Sequence, residues 1–491
     1  MKKILNVLFS LSFIAVVFVG CEDRSDISAP TSGTASYDRF VTVGNSITAG
    51  YQSGALYKSA QDFAYGNLIA IQVGASFAMP TYSDPGTGGR MELTAFNFAT
   101  STPTIVNNPL KGSPLNLTYA APYNNLGIPG ATLYDILNAT DSLNCFSGKF
   151  GNKPNAMFNL ILRNQGSQFA QAKALNPTLL TLWIGNNDVL GFATSGGFSP
   201  SSPTDAATFN GLYKALADSL KSLNTKVVVA NLPDVTAIPF FNTVGPKLAK
   251  DTSVHWSANK AIGSKGLYYV KHNTTANAFP DTSVYADSIG LFTGKVDLTL
   301  VAGSFAAFLG DKTGAAWSAL AAYLKIPESY IKPAYVNVAY PFGFHPLNPL
   351  PDFLVLDDTE ISMAKTATAS FNATILSAAN DKGFALVDIN SFFNLIRAKD
   401  YSGGTYYGGI KFTTGYISGG LFSLDGVHPS NHGHAIIANE FIKVINSKWG
   451  GNIPLVNVAS IDPSFTLDKR ISFDHFGIPK FQAGAFDNLL F

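Results

Sequence analysis

The sequence predicts an α/β protein, with a mostly parallel β-sheet covered by helices on both faces. Three observations predict it. Short, fully apolar runs such as "TLLTLWI" (178–184) recur along the chain, at strand length rather than helix length. Between them lie segments whose apolar residues return every three or four positions, as in a helix with one buried face. Several runs end in Gly, Asn or Asp, as at "GNND" (185–188), and the carboxyl ends of parallel strands are where such sheets hold their functional residues.

Taken in order, "RFVTV" (39–43) reads as a buried strand, and 61–73 as a helix with Phe63, Leu68, Ile69 and Ile71 apolar. Residues 75–115 are rich in Gly, Pro, Thr and Asn and read as an irregular insertion. "LTYAAPYNNLGIPGAT" (117–132) is a second strand running into a glycine turn. After the strand at 178–184 comes a helix over 206–223, with Phe209, Leu212, Leu216 and Leu220 on one face. "KVVVANLPD" (226–234) is a strand stopped by Pro233. The long helix 359–381, with Ile361, Phe371, Ile375 and Leu376, leads to the strand "FALVDI" (384–389). "NHGHAIIANEFIKVI" (431–445) closes the series as a helix burying Ile437, Phe441 and Val444 or Ile445. The stretch 242–350 lacks this rhythm, holds one amphipathic helix at 314–327, and reads as an inserted subdomain. The tail, 451–491, has no strong periodicity and is expected to wrap the core.

Composition narrows the setting. Charged residues make up 13% of the 491, against about 25% in an average soluble protein. The net charge of +1 argues against a basic nucleic-acid surface and an acidic tail alike. A surface rich in Ser, Thr, Asn and Gly suits work outside the cytoplasm. At the N-terminus, Lys2 and Lys3 precede "ILNVLFSLSFIAVVFVG", short of the roughly 20 apolar residues a spanning helix needs. Cys21 follows, directly after Gly20, and the segment resembles a bacterial lipoprotein signal, although Phe18 stands where that pattern prefers Leu. The resemblance implies that 1–21 is a signal peptide ending at a lipidated Cys21, that 22–36 is a flexible tether, and that the protein is lipid-anchored in the cell envelope at the outer membrane. Glu22 is not the Asp-type inner-membrane retention signal of enteric lipoproteins. An ordinary secretory peptide or an uncleaved anchor is the alternative. Cys145 is then left without a partner, so no disulfide framework exists, and no activating signature marks its thiol as a nucleophile.

Four turns carry chemistry-bearing residues: Gly44-Asn45-Ser46, the glycine turn with Gly127 and Gly130, "IGNNDV" with Asn187 and Asp188, and "LDGVHPSNHGH" with Asp425 and His428. A serine hydroxyl attacks only when an imidazole takes its proton, and a carboxylate must hold that imidazole in one tautomer. Asp425 and His428, three apart in a turn, can be mutual neighbours. Acyl transfer also needs donors aimed at the developing oxyanion, and the Gly130 N–H, the Asn187 amide and the Ser46 N–H qualify. Each piece has an ordinary structural reading: a helix cap at Ser46, a turn at Gly130, an Asx-turn at Asn187. Asp425 with His428, His432 and His434 has a spacing that also permits a metal site, although two of those histidines open a helix with a solvent face. No HExxH, P-loop, dinucleotide fingerprint or GxSxG elbow occurs.

Together the four segments resemble the SGNH or GDSL hydrolases. "GNSITAG" is similar to the nucleophile block, "NNLGIPGAT" to the glycine block, "GNND" to the asparagine block and "DGVHPS" to the Asp-x-x-His block, in that chain order. The likeness runs in pieces from about residue 37 to 447, also taking in "NLPDVTAIPFF" (231–241). It implies a three-layer α/β/α sandwich over 37–450, with a short mostly parallel sheet and insertions at about 75–115 and 242–350. It further implies ester hydrolysis through an acyl-enzyme, with Ser46 as nucleophile, His428 as general base and acid, and Asp425 as orienting carboxylate. Gly130 and Asn187 would join the Ser46 backbone in the oxyanion hole, with no metal or cofactor needed. Asn45 departs from the family's usual Asp, so hydrogen bonding beside the nucleophile must differ. The implied substrate is an ester of a lipid or of an acylated small molecule or sugar. A non-catalytic binding lipoprotein on the same fold, or an acyltransferase, remains the alternative.

Overall fold

Five short strands form the centre of the molecule: β1 (Phe40–Gly44), β2 (Asn125–Gly127), β3 (Leu179–Trp183), β4 (Lys226–Ala230) and β5 (Ala385–Val387). They lie in the order β5-β4-β3-β1-β2, and every neighbouring pair is parallel. The structure is a computed structural model and describes residues 30–97, 102–197, 203–250, 266–271, 288–292, 296–464 and 480–481. The signal segment, Cys21 and the first part of the expected tether lie outside the described residues.

All five residues of β1 and of β3 are buried, as their unbroken apolar runs require of strands covered on both faces. Two sets of helices flank the sheet. In one, Tyr65–Val73 packs on Asn431–Trp449, with Tyr65 stacked on Phe441 (4.9 Å) and edge-on to Trp183 of β3 (6.0 Å). In the other, Ala206–Lys221 packs on Asp358–Lys382 through Phe209 and Phe371, whose rings stack at 3.8 Å. The long helix starts where Asp357 and Glu360 form a capping box and stops at Gly383. This is the predicted α/β/α class. Among the described residues no helix is long and apolar enough to cross a membrane.

Several elements differ from expectation. The region 75–115 is not irregular throughout, because Arg90–Asn97 pairs antiparallel with Thr102–Asn108. Met91, Leu93 and Ala95 are buried at a spacing of two, an alternation hidden in a Gly-, Pro- and Asn-rich composition. Lys480–Phe481 of the tail adds a parallel strand beside Thr104–Ile105. The second strand shrinks to Asn125–Gly127; Pro122 lacks the N–H that a ladder needs. The helix expected over 61–73 is two pieces, Lys58–Gln61 and Tyr65–Val73.

Among the described residues of the insertion 242–350, Leu267, Leu298, Leu300, Phe305 and Trp317 join the large apolar cluster that holds the strands. At the N-terminal side, the end of the expected tether is docked rather than loose. The Thr34 N–H donates to Trp449 O (2.9 Å), and the Asn452 N–H donates to Thr31 O (2.9 Å).

Candidate active site

Strand register sets the site. Gly44, the last residue of β1, lies level with Gly127 of β2 on one side and Trp183 of β3 on the other. Three of the four sequence segments therefore leave the sheet side by side, on the strand where the order switches direction, which is where open α/β sheets bind ligands.

After Gly44 the chain turns at once into a short helix, Ser46–Ala49. Asn45 caps it, its Oδ1 accepting from the Ile47 N–H (3.1 Å), while its Nδ2 donates to Asn186 Oδ1 (3.1 Å) on the β3 exit. Gly127 lets that helix sit close against β2: a Cβ there would stand 2.3 Å from Ala49 N. The Ser46 hydroxyl lies 2.9 Å from His428 Nε2, across 382 residues of chain, and His428 Nδ1 lies 2.9 Å from Asp425 Oδ2.

Asp425 is fully buried, yet four donors surround it. Its Oδ1 accepts from the Val427 and His428 N–H groups (2.9 and 2.8 Å), and its Oδ2 from the Gly54 N–H (3.2 Å) and His428. Burial alone would raise its pKa. The imidazole and the backbone donors outweigh that and hold the carboxyl below its ordinary value. An ionised carboxylate only accepts hydrogen bonds, so Nδ1 carries the imidazole proton and Nε2 offers its lone pair to the Ser46 O–H.

The loop behind this line was not singled out in the sequence. "YQSG" (51–54), directly after the Ser46–Ala49 helix and its cap, clamps the Asp425 turn: the Ser53 N–H donates to Ser423 Oγ (2.9 Å), and the Leu424 N–H to Ser53 Oγ (3.2 Å). Ser53 takes a left-handed φ of +50° to do so. The Tyr51 ring packs on the imidazole at 5.0 Å. The only signal in sequence is its position, five to eight residues beyond the serine.

Gly130 adopts a φ of +81°, which suits glycine, in the turn after β2. Asn187 opens the helix Asn187–Thr194 after β3, and its Nδ2 donates one hydrogen to Ala131 O (2.8 Å), tying the glycine turn to the asparagine turn. A second N–H remains on that amide nitrogen. Asp188 reinforces the tie by accepting from the Leu133 N–H (2.9 Å) and from Thr204 Oγ (3.0 Å). Burial pushes Asp188 up to about 7, and neighbouring Asp135, itself raised by burial to about 6, adds to that.

The rival metal arrangement does not assemble. Both ring nitrogens of His428 are engaged by Asp425 and Ser46. Among the described residues no three His, Cys, Asp or Glu side chains converge to hold an ion. Cys145 is buried, with its thiol donating to Ser142 O.

No curated protein matches the chain. Among solved structures it is similar to a putative GDSL-like lipase from Parabacteroides merdae ATCC 43184, at 12% identity and a TM-score of 0.30, over 84% of this chain and 94% of that one. It is similar also to a gut microbial diltiazem-metabolizing enzyme, at 14% identity and a TM-score of 0.30, over 85% of this chain and 49% of that one, so it spans about half that protein's length. Residues 40–281 match the family model of the GDSL-like lipases/acylhydrolases, a stretch that includes Ser46, Gly130 and Asn187 and ends before Asp425. Over that stretch the chain is similar to a GDSL-like lipase/acylhydrolase domain.

Proposed function

We propose that this protein is a serine esterase that cleaves carboxylic esters through an acyl-enzyme on Ser46. The observation that carries the reading is the buried line from Ser46 Oγ through His428 to Asp425, with both links at 2.9 Å, at the exit of the central strand.

In this reading His428 Nε2 takes the Ser46 proton as Oγ attacks the ester carbonyl. The imidazolium that forms is stabilised by ionised Asp425 and returns the proton to the departing alkoxide as the C–O bond breaks. Water then gives a proton to Nε2 as its oxygen bonds the acyl carbon, and the bond from that carbon to Ser46 Oγ breaks as Nε2 returns the proton to Oγ, releasing the acid and regenerating Ser46. General-base action of this kind contributes about 10²–10⁴-fold. The Gly130 N–H, the second Asn187 amide hydrogen and the Ser46 N–H would hold the oxyanion, each worth about 10²–10³ in kcat.

The same proposal holds the domain at the cell envelope by a lipid on Cys21, supported by the short apolar run that ends in Gly20-Cys21. Turnover of p-nitrophenyl acetate and longer esters, measured beside Ser46→Ala, tests the hydrolase reading. The expected loss is about 10³-fold or more with an unchanged melting temperature. Wild-type turnover no greater than that of the variant would leave a binding module instead.

A further inference from the structure

The described part of the N-terminal arm is fastened to one pole of the domain. Besides the Thr34–Trp449 and Thr31–Asn452 pairs, Lys226 Nζ donates to Thr34 Oγ (2.8 Å) and lies 5.5 Å from the Trp449 ring centre. Thr178 Oγ donates to Ser36 O (2.9 Å). Lys226 opens β4, Thr178 immediately precedes β3, and Trp449 ends the last helix. Every anchor point is thus at the amino ends of the strands. Ser46, Gly130 and Asn187 follow the carboxyl ends, and His428 precedes the other end of that helix. The helix has 19 residues, so at 1.5 Å per residue the poles stand about 28 Å apart.

We propose that the Ser46–His428 pair faces away from the membrane that holds its own chain, and that its substrates are water-soluble esters met in the surroundings rather than acyl lipids of that membrane. This rests on the hydrolase reading and on the lipid at Cys21. Nine chain steps separate Cys21 from Pro30, and even fully extended they reach only about 31 Å. Turning the site onto the same bilayer requires a path around the flank of the domain, longer than the straight 28 Å or so between poles. The arm would have to run taut along its whole length or leave its hydrogen bonds.

The test uses the mature chain with its lipid at Cys21 in vesicles. The substrate is one short-chain umbelliferyl ester, either free in solution or displayed on a lipid headgroup by a short spacer, so that only its location differs. Displayed in the enzyme's own vesicles, an ester within reach would enjoy an effective concentration in the millimolar range. The expected result is a rate no more than about twofold above that for ester displayed on separate vesicles. Inserting about 20 Gly and Ser residues between Ala29 and Pro30, enough to span the flank, should raise the same-vesicle rate tenfold or more. A tenfold same-vesicle advantage with the native arm, or no gain from the longer one, overturns the inference. So does envelope-purified protein whose N-terminal peptide mass shows no lipid on Cys21. Loss of turnover on the free ester would instead count against the hydrolase reading itself.

Discussion

Asp425 shows how much a single side chain depends on its neighbours. A buried carboxylate is costly unless hydrogen bonds replace the water it loses. Here the Gly54, Val427 and His428 N–H groups do so, and the imidazole adds a fourth donor. The chemical types at Ser46, Asp425 and His428 were legible because each stands in a compact turn with a recognisable spacing. The Ser53 and Gly54 support was not, since backbone donors leave no trace in side-chain chemistry. Asp425→Asn should lower kcat about 10⁴-fold by favouring the wrong imidazole tautomer. It should also change acid stability in a defined direction. Because the folded carboxyl titrates below its ordinary 3.8, its contribution is present above about pH 4 and is lost as pH falls through the folded value. Urea melts should therefore show a wild-type advantage over the variant that is constant near neutrality and closes below pH 4. A gap independent of pH would mean that the carboxylate is not held ionised.

At the scale of elements, the site is a consequence of register. Because β1 lies between β2 and β3, the turns carrying Ser46, Gly130 and Asn187 emerge together, and Asn45, Asn187 and Asp188 cross-link them. The strands β1, β3 and β4 were readable from their apolar runs. The order was not, since nothing in "FVTVG" says which strands will flank it. The hairpin at 90–108 was missed because Gly, Pro and Asn around it mask the alternation of Met91, Leu93 and Ala95. Short helices such as Leu133–Asn138 and Gln168–Ala174 were missed because six or seven residues give no periodicity to read. Gly127→Ala tests the packing of elements on the site. Its Cβ must push the Ser46–Ala49 backbone away from 2.3 Å, and a displacement of about 1 Å costs on the order of 10²-fold in rate. The expected result is that fall in kcat with KM nearly unchanged, whereas Gly191→Ala, with open space around it, leaves kcat as it was. Equal behaviour of the two variants would contradict the argument.

For the whole molecule, one apolar cluster runs from Ala35 to Ile461 and takes in described residues of the long insertion. The sequence suggested an inserted subdomain at 242–350 because the βα rhythm stops there; rhythm reports local periodicity and not which core a side chain enters, and Leu267, Leu298 and Trp317 of that stretch enter the cluster that holds the strands. The docking of 31–36 was likewise invisible: Thr, Ser and Gly read as linker until Trp449, Thr178 and Lys226 supply partners. The C-terminal tail also reaches the site's support, since Ser464 Oγ bonds Gln52 Oε1 (2.9 Å) and accepts from the Asn431 N–H (2.6 Å).

Segments 382 residues apart in sequence meet where Ser46 Oγ lies against His428 Nε2, and a covalent trap tests directly whether that pair is reactive. Treating the intact protein with a p-nitrophenyl alkylphosphonate and locating the adduct by peptide mass should give one equivalent on Ser46, formed far more slowly in His428→Asn. An unmodified Ser46 in an enzyme that still turns over esters, or equal labelling with and without the imidazole, would contradict it.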